Sequence, residues 1–331
     1  MFRQVTIIGD GAMGTVCGML LCRNGIRTTM WGYNAAQLAQ FEQARENSRF
    51  LPGYRFPDSL HLDSNDSTAM RGAKLLVSAV PCQFVRTVWQ RLKPFVPSGI
   101  PIVSVTKGLE NGTLFRPSEI LADALSGNHH YAALSGPTIA DELMRELPAT
   151  ATAASEDLLL AEAVQKTFST PFFRVYTNSD LKGVELAGAM KNVIAIAAGC
   201  IDGIGAGDNA KAALITRGLA EIKRLGVALG ARESTFAGLS GLGDLVTTCI
   251  SPKGRNRTFG ERIGRGMSAA EALAQTAGVV EGVSTCRSVV DLAIKVGVEM
   301  PISEAILAVL SDKMDVREAI AALMSRSLKA E

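Results

Sequence analysis

The chain has 331 residues, of which 47% are hydrophobic and 20% charged, and 34 Lys and Arg against 32 Asp and Glu give a formal net charge of +2. This length predicts two domains at roughly 150 residues each, with enough apolar material for a large core. The basic residues form no stripe, which argues against nucleic acid as a partner. Six cysteines (17, 22, 82, 200, 249 and 286) show no CxxC pairing and no histidine neighbours, so neither a metal site nor a disulfide framework is expected.

Residues 5–9 form a short β-branched run that reads as a strand, followed by Gly9-Asp10-Gly11-Ala12-Met13-Gly14 and an apolar helix at Val16–Leu21. A strand, a Gly-x-Gly-x-x-Gly turn and a helix within about 30 residues is the context of a dinucleotide fingerprint. Gly9 permits the tight turn, Gly11 lets the backbone approach a pyrophosphate, and Gly14 allows close helix–strand packing. The helix N-terminus offers amide donors to the phosphates. A second strand is expected at Thr28–Trp31, and it ends in Gly32-Tyr33-Asn34 with no acid for a ribose 2′-hydroxyl. NADPH is therefore the expected form, with NADH admissible. Arg45 and Arg49 could reach a 2′-phosphate, or could simply belong to a solvated helix face.

Strand–helix alternation continues with a strand at Lys74–Val80, a helix at Gln83–Leu92 and strands at Pro101–Val105 and Tyr131–Leu134. The expected fold is an α/β Rossmann domain, a parallel-rich sheet with helices on both faces, over residues 1–180. Ligands bind beyond the carboxyl ends of such strands, which draws attention to Thr106–Glu110 and Ser135–Thr138. Lys107, a lone cation directly after an apolar strand, could hold a substrate phosphate or carbonyl, or pair with Glu110.

From about Asp180 the periodicity turns helical, so residues 181–331 are expected to form an all-α domain. Within Gly183–Val193, Lys191 stands in a helix of small apolar residues. Its neighbours at three and four positions are Ala187, Gly188, Ile194 and Ala195. Such surroundings partly desolvate an ammonium, the condition under which a lysine exchanges protons near neutral pH. The other reading is a stem packed on the core with its head in water. The three histidines (61, 129 and 130) all precede residue 131, leaving lysine as the acid/base for a two-domain dehydrogenase. Gly203–Asn209 reads as a helix-terminating turn, and Gly238–Asp244 as a glycine-rich loop ending in an acid. Ser251–Arg257 reads as a basic loop whose Arg255-Asn256-Arg257 suits an oxyanion, or as a solvated basic turn. The longest apolar run, Val193–Ile201, is too short for a bilayer. With no signal peptide expected and no peroxisomal address in Leu328–Glu331, cytoplasm is the expected location.

These blocks together resemble the bacterial-type NAD(P)+-dependent glycerol-3-phosphate dehydrogenases over nearly the whole chain. The resemblance is carried by Gly9–Gly14, Thr106–Glu110, Ser135–Glu142, Glu185–Asn192, Asn209–Gly218, Gly238–Leu245 and Arg255–Gly260. It implies reduction of dihydroxyacetone phosphate to sn-glycerol 3-phosphate for glycerophospholipid synthesis, by a homodimer. By position it implies Lys191 as catalytic acid/base, Lys107 as a contact of both cofactor and substrate, and Gly136, Thr138, Asp244, Gly254, Arg255 and Asn256 in the substrate site. It further implies dinucleotide contacts at Ala12, Met13, Tyr33, Ala140, Arg255, Val279 and Glu281, beside the three glycines of the turn.

The chain departs from the family pattern at Ala12 and Met13, where Ser and an aromatic residue are frequent, at Cys82, where serine is common, and at Gly254, also commonly serine. The last removes a hydroxyl from the phosphate end. The competing expectation is a related lysine-dependent 2- or 3-hydroxyacid dehydrogenase or ketopantoate reductase. A third is a non-catalytic dinucleotide sensor.

Overall fold

The computed structural model describes residues 1–276 and 278–328, so the last three residues of the segment 328–331, read above as carrying no peroxisomal address, lie outside the described residues. The chain divides into two compact units, Met1–Lys107 with Phe115–Glu185, and Gly108–Leu114 with Leu186–Glu331.

The first unit is built on β1 (Gln4–Ile8), β2 (Arg27–Trp31), β3 (Leu60–Asp63), β4 (Leu75–Ser78), β5 (Ile102–Ser104), β6 (Tyr131–Ser135), β7 (Ala149–Ala154) and β8 (Phe173–Asn178). They form one sheet in the order β3-β2-β1-β4-β5-β6-β7-β8. All neighbours are parallel except β6 and β7. The helices of this unit are α1 (Ala12–Arg23), α2 (Ala35–Ala44), α3 (Asp66–Met70), α4 (Val85–Leu92), α5 (Pro117–Leu125), α6 (Ala140–Met144) and α7 (Leu158–Phe168).

Side chains alternate across a strand, so a sheet buried on both faces needs apolar residues at every position. β1 meets that demand at Val5, Ile7 and Ile8, while the buried Thr6 satisfies its hydroxyl by donating to the Ala69 carbonyl at 2.7 Å. Val5 and Ile7 join Val16, Leu20 and Leu21 of α1 in one core, while Ile8 joins Trp31, Leu76, Val85 and Trp89 in the other. This is the expected α/β Rossmann arrangement, and the order 3-2-1-4-5-6 places its switch point between β1 and β4.

The second unit is helical: α8 (Leu181–Ile204, its first turn in the first unit), α9 (Asp208–Ala228), α10 (Glu233–Phe236), α11 (Asp244–Ile250), α12 (Arg255–Gly264), α13 (Ala269–Ala274), α14 (Glu281–Val296), α15 (Pro301–Leu310) and α16 (Val316–Met324). Its core surrounds α8, with Val193, Ile194, Ile196 and Cys200 packed among Ile222, Leu225, Phe236, Phe259 and Val289. The apolar stretch is longer than Val193–Ile201. α8 is long and apolar enough to cross a membrane, with an 18-residue window of mean hydropathy 1.5, but that window is wholly buried by protein.

The turn at 203–209 ends α8 as expected, with Gly205 and Gly207 at φ of 70° and 88°. Two expected loops are helical instead. Residues 239–243 form a π-turn, seen in the Gly243 N–H donating to the Gly238 carbonyl at 3.2 Å, and run directly into α11. Gly241 makes this possible, because a Cβ there would fall 2.1 Å from the Phe236 carbonyl oxygen. Residues 255–257 form the first turn of α12, with Gly254 as its N-cap. No disulfide joins the cysteines.

Candidate active site

In the first unit the fingerprint glycines divide their work. Gly9 has φ 117°, a backbone region open chiefly to glycine, and a Cβ there would lie 2.7 Å from the Ala79 carbonyl oxygen. A Cβ on Gly14 would meet the Gly9 carbonyl at 2.1 Å, so glycine is needed for α1 to approach the turn. Gly11 differs, since a Cβ would meet nothing within 4 Å. Internal packing does not require its small size. Open space over the N-cap of α1, whose first turn carries no acid, is what an approaching pyrophosphate uses. Ala12 and Met13 open that helix.

Tyr33 follows β2, is exposed, and meets Trp31 edge-on at 6.3 Å. The Arg91 guanidinium stacks 5.0 Å from the Tyr33 ring centroid and 5.4 Å from that of Trp31, while Asp66 accepts from it at 2.8 and 2.9 Å. Arg45 is occupied by Glu42 and by the carbonyls of Pro57 and Leu60. Arg49 donates to Gln37.

Beyond β5 and β6, Lys107 Nζ donates to the Gly136 carbonyl at 3.1 Å, and Thr138 Oγ1 donates to the same oxygen at 3.2 Å. Gly136 is irreplaceable by shape, with φ 155° and a Cβ position 2.8 Å from Ala151 Cα. Its carbonyl therefore gathers two of the expected polar contacts, and Ala140 opens α6 just beyond. Met13, Lys107 and Thr138 line one small cavity with Val105, Leu134 and Phe173.

In the second unit Lys191 is 6% exposed. Its Nζ donates to Asp244 Oδ1 at 2.7 Å and to Thr248 Oγ1 at 2.5 Å. Asp244, 2% exposed, leaves the π-turn as the first residue of α11, and Thr248 stands one turn further along. The stem of Lys191 does not snorkel to water. Its head is held inside by a compensating carboxylate, an arrangement a buried charge requires. Burial pushes the adjacent Cys249 thiol up to about 12, so it remains a thiol beside the ammonium.

Asn192, next in sequence, accepts from Asn256 Nδ2 at 3.0 Å, and Asn256 Oδ1 accepts from the Gly282 N–H at 2.9 Å. This ladder ties α8, α12 and α14 together and fixes Asn256. Arg255, exposed on the first turn of α12, lies with a guanidinium nitrogen 3.1 Å from where a Gly278 Cβ would stand. That brings it beside the segment carrying Val279, exposed, and Glu281, the first residue of α14. Arg257 is turned elsewhere, pairing with Asp202 at 2.5 Å and Glu261 at 3.2 Å. The Arg-Asn-Arg run is thus one exposed guanidinium, one structural amide and one guanidinium held in structural ion pairs. Thr248 and Asn192 were not among the expected site residues. The i, i+4 spacing of Thr248 from Asp244 was the available signal.

The family model for the N-terminus of NAD-dependent glycerol-3-phosphate dehydrogenase matches residues 4–161, and that for its C-terminus matches residues 180–321. A glycerol-3-phosphate dehydrogenase of NAD(P)+ type from Geobacter sp. (strain M21) is 47% identical, over 100% of this chain and 99% of its own length. One from Streptomyces coelicolor is 44% identical over 99% and 98%. The crystal structure of glycerol-3-phosphate dehydrogenase from Coxiella burnetii superposes with a TM-score of 0.94 at 35% identity, covering 98% of this chain and 99% of that one. The chain belongs to the NAD-dependent glycerol-3-phosphate dehydrogenase family.

Proposed function

We propose that this protein catalyses the reversible NAD(P)-dependent reduction of dihydroxyacetone phosphate to sn-glycerol 3-phosphate, supplying glycerophospholipid synthesis. The observation that carries the reading is the buried Lys191 ammonium, fixed by Asp244 and Thr248 at the start of α11. The nicotinamide cofactor, for which the open space at Gly11 is suited, supplies the hydride. Lys191 donates a proton to the C2 oxygen in reduction and takes it back in oxidation. Asp244 compensates the ammonium and aims it, and the Thr248 hydroxyl restricts its rotation.

Gly136, Thr138 and Lys107 are assigned to substrate contact, with Lys107 also serving the cofactor. Gly254, Arg255 and Asn256 are assigned to the phosphate end of the substrate, where the planar guanidinium binds phosphate oxygens bidentately. Such anchoring lowers the barrier through orientation. Gly9, Gly11, Ala12, Met13, Gly14, Tyr33, Ala140, Val279 and Glu281 are assigned to the dinucleotide, together with Arg255. Residues 1–180 are assigned as the dinucleotide-binding domain and 181–331 as the helical catalytic domain, in a cytoplasmic homodimer. A ketopantoate reductase or hydroxyacid dehydrogenase is disfavoured by the full-length relatives. Steady-state kinetics with dihydroxyacetone phosphate and with ketopantoate, against each nicotinamide in turn, tests the reading. Turnover of ketopantoate alone would overturn it.

A further inference from the structure

We propose that Asp10 selects between the two nicotinamide dinucleotides, favouring the free ribose 2′-hydroxyl and rejecting the 2′-phosphate; this rests on the dinucleotide reading of the Gly9–Gly14 turn. β2 ends at Trp31, and the next residue, Gly32, has no side chain to offer a ligand. The space that a Gly32 side chain would enter is taken. A Cβ built there lies 3.0 Å from Asp10 Oδ2 and 3.2 Å from Asp10 Cγ. In doubly wound dinucleotide folds a carboxylate at the end of the second strand binds the ribose 2′-hydroxyl. Here the same group stands at the same strand end but arrives from the glycine turn, two residues after β1. A search for an acid on β2 misses it.

The carboxylate is held in place. Gln37 Nε2, from the first turn of α2, donates to Asp10 Oδ2 at 2.7 Å. The buried Asn47 donates to the Asp10 carbonyl at 2.9 Å and to Thr15 Oγ1 at 2.8 Å, which fixes the backbone beneath it. A carboxylate has about four acceptor positions, so the Gln37 contact leaves room for a ribose hydroxyl donor. A 2′-phosphate presents about −1.5 to −2 charge at neutral pH and no donor of use to a carboxylate. Of the nearby cations, Arg45 is paired with Glu42 and two backbone carbonyls and Arg91 with Asp66, while Arg49 donates to the side-chain oxygen Oε1 of Gln37. Like charges brought together at a recognition surface are a device for excluding the wrong partner.

The test is calorimetric titration of the full-length protein with NADH and NADPH, and with the fragments 5′-ADP and 2′-phospho-5′-ADP, which probe the adenosine end without turnover. Wild type is expected to bind NADH and 5′-ADP at least tenfold tighter than their 2′-phosphorylated counterparts. Asp10→Asn, nearly isosteric and able to keep the Gln37 contact, is expected to narrow both ratios at least tenfold, chiefly by tightening the phosphorylated ligand. Asp10→Ala is expected to do the same through loss of charge alone, and thermal melts of both variants check folding. Equal or tighter binding of NADPH by wild type overturns the proposal, as do unchanged ratios in either folded variant. Failure of wild type to bind any of the four overturns the dinucleotide reading itself and the inference with it.

Discussion

On the proposed mechanism Lys191 carries two duties that a single substitution would confuse. As acid/base its loss removes a contribution of about 10²–10⁴ in rate. As half of a buried ion pair its loss leaves Asp244 uncompensated, at a cost of about 3–5 kcal/mol. Lys191→Ala is therefore expected to lose turnover by that factor while keeping nicotinamide dinucleotide binding, and also to melt at lower temperature. Lys191→Ala combined with Asp244→Ala is expected to regain much of the stability and none of the turnover, so melts and kcat together separate the duties. At the proposed phosphate end of the site, Gly254 caps α12 without a side chain, and a Cβ would meet the Thr248 carbonyl at 3.3 Å. Gly254→Ser fits with a small adjustment and supplies a capping oxygen. It is expected to raise stability by a few tenths of a kcal/mol and lower KM for dihydroxyacetone phosphate. An unchanged KM would show that the backbone already serves that contact. Much at this scale was legible. A cation among glycines and alanines stands out in a sequence, whereas the Asn192–Asn256–Gly282 ladder joins residues that only tertiary packing brings together.

Elements were legible where local pattern and tertiary role agree. β1, β4, β5 and β6 are largely apolar runs beside turn signals, β2 is marked by its β-branched and aromatic residues, and all five have a neighbour on both sides in the sheet. β7 reads Ala-Thr-Ala-Thr-Ala-Ala, with little β propensity of its own; pairing with β6 and β8 makes it a strand. Residues 238–244 and 255–257 read as loops because glycine and charge suggest punctuation. Here Gly241 permits close helix contact, Arg257 pairs with Glu261 one turn on, and Asp244 pairs with Lys191 on α8. α15 shows how an element end can be governed by a distant acid. Glu221, 1% exposed on α9, accepts from the backbone N–H of Ile302 at 2.7 Å and of Ser303 at 3.3 Å. Burial pushes its carboxyl up to about 7 despite these donors. Because the folded-state value is raised, the group's contribution is fully present below about pH 4, the ordinary carboxylate range, and is lost as pH rises through about 7. Wild type is expected to lose melting temperature relative to Glu221→Gln between pH 5 and pH 8. Parallel pH profiles of the two would remove Glu221 from this role.

For the molecule as a whole, residue 180 is an attractive place to cut because strands stop there. The packing divides elsewhere. Gly108–Leu114 belongs to the helical unit, with Leu109 fully buried in its core, and the first unit continues through Glu185. Glu185 accepts from the Ser118 N–H at 2.8 Å, the Ser118 hydroxyl at 2.6 Å and Arg116 at 2.6 Å, and burial raises its carboxyl above the usual range. A fragment of residues 1–180 would strand those donors, whereas one of residues 1–185 keeps them paired, and both expose Leu109 equally. The shorter fragment is expected to melt well below the longer, as followed by circular dichroism; equal melting would show that Glu185 is dispensable.

α8 also bears on sorting during synthesis. Before the other helices exist to cover it, its 24 residues satisfy the length and hydropathy by which translocation machinery selects a membrane anchor. Lys191 stands near its midpoint, where a lysine costs about 2.5–3.5 kcal/mol on insertion scales. On the proposed mechanism, the ammonium that hands a proton to a carbonyl in the finished enzyme also raises the cost of placing the nascent helix in a bilayer.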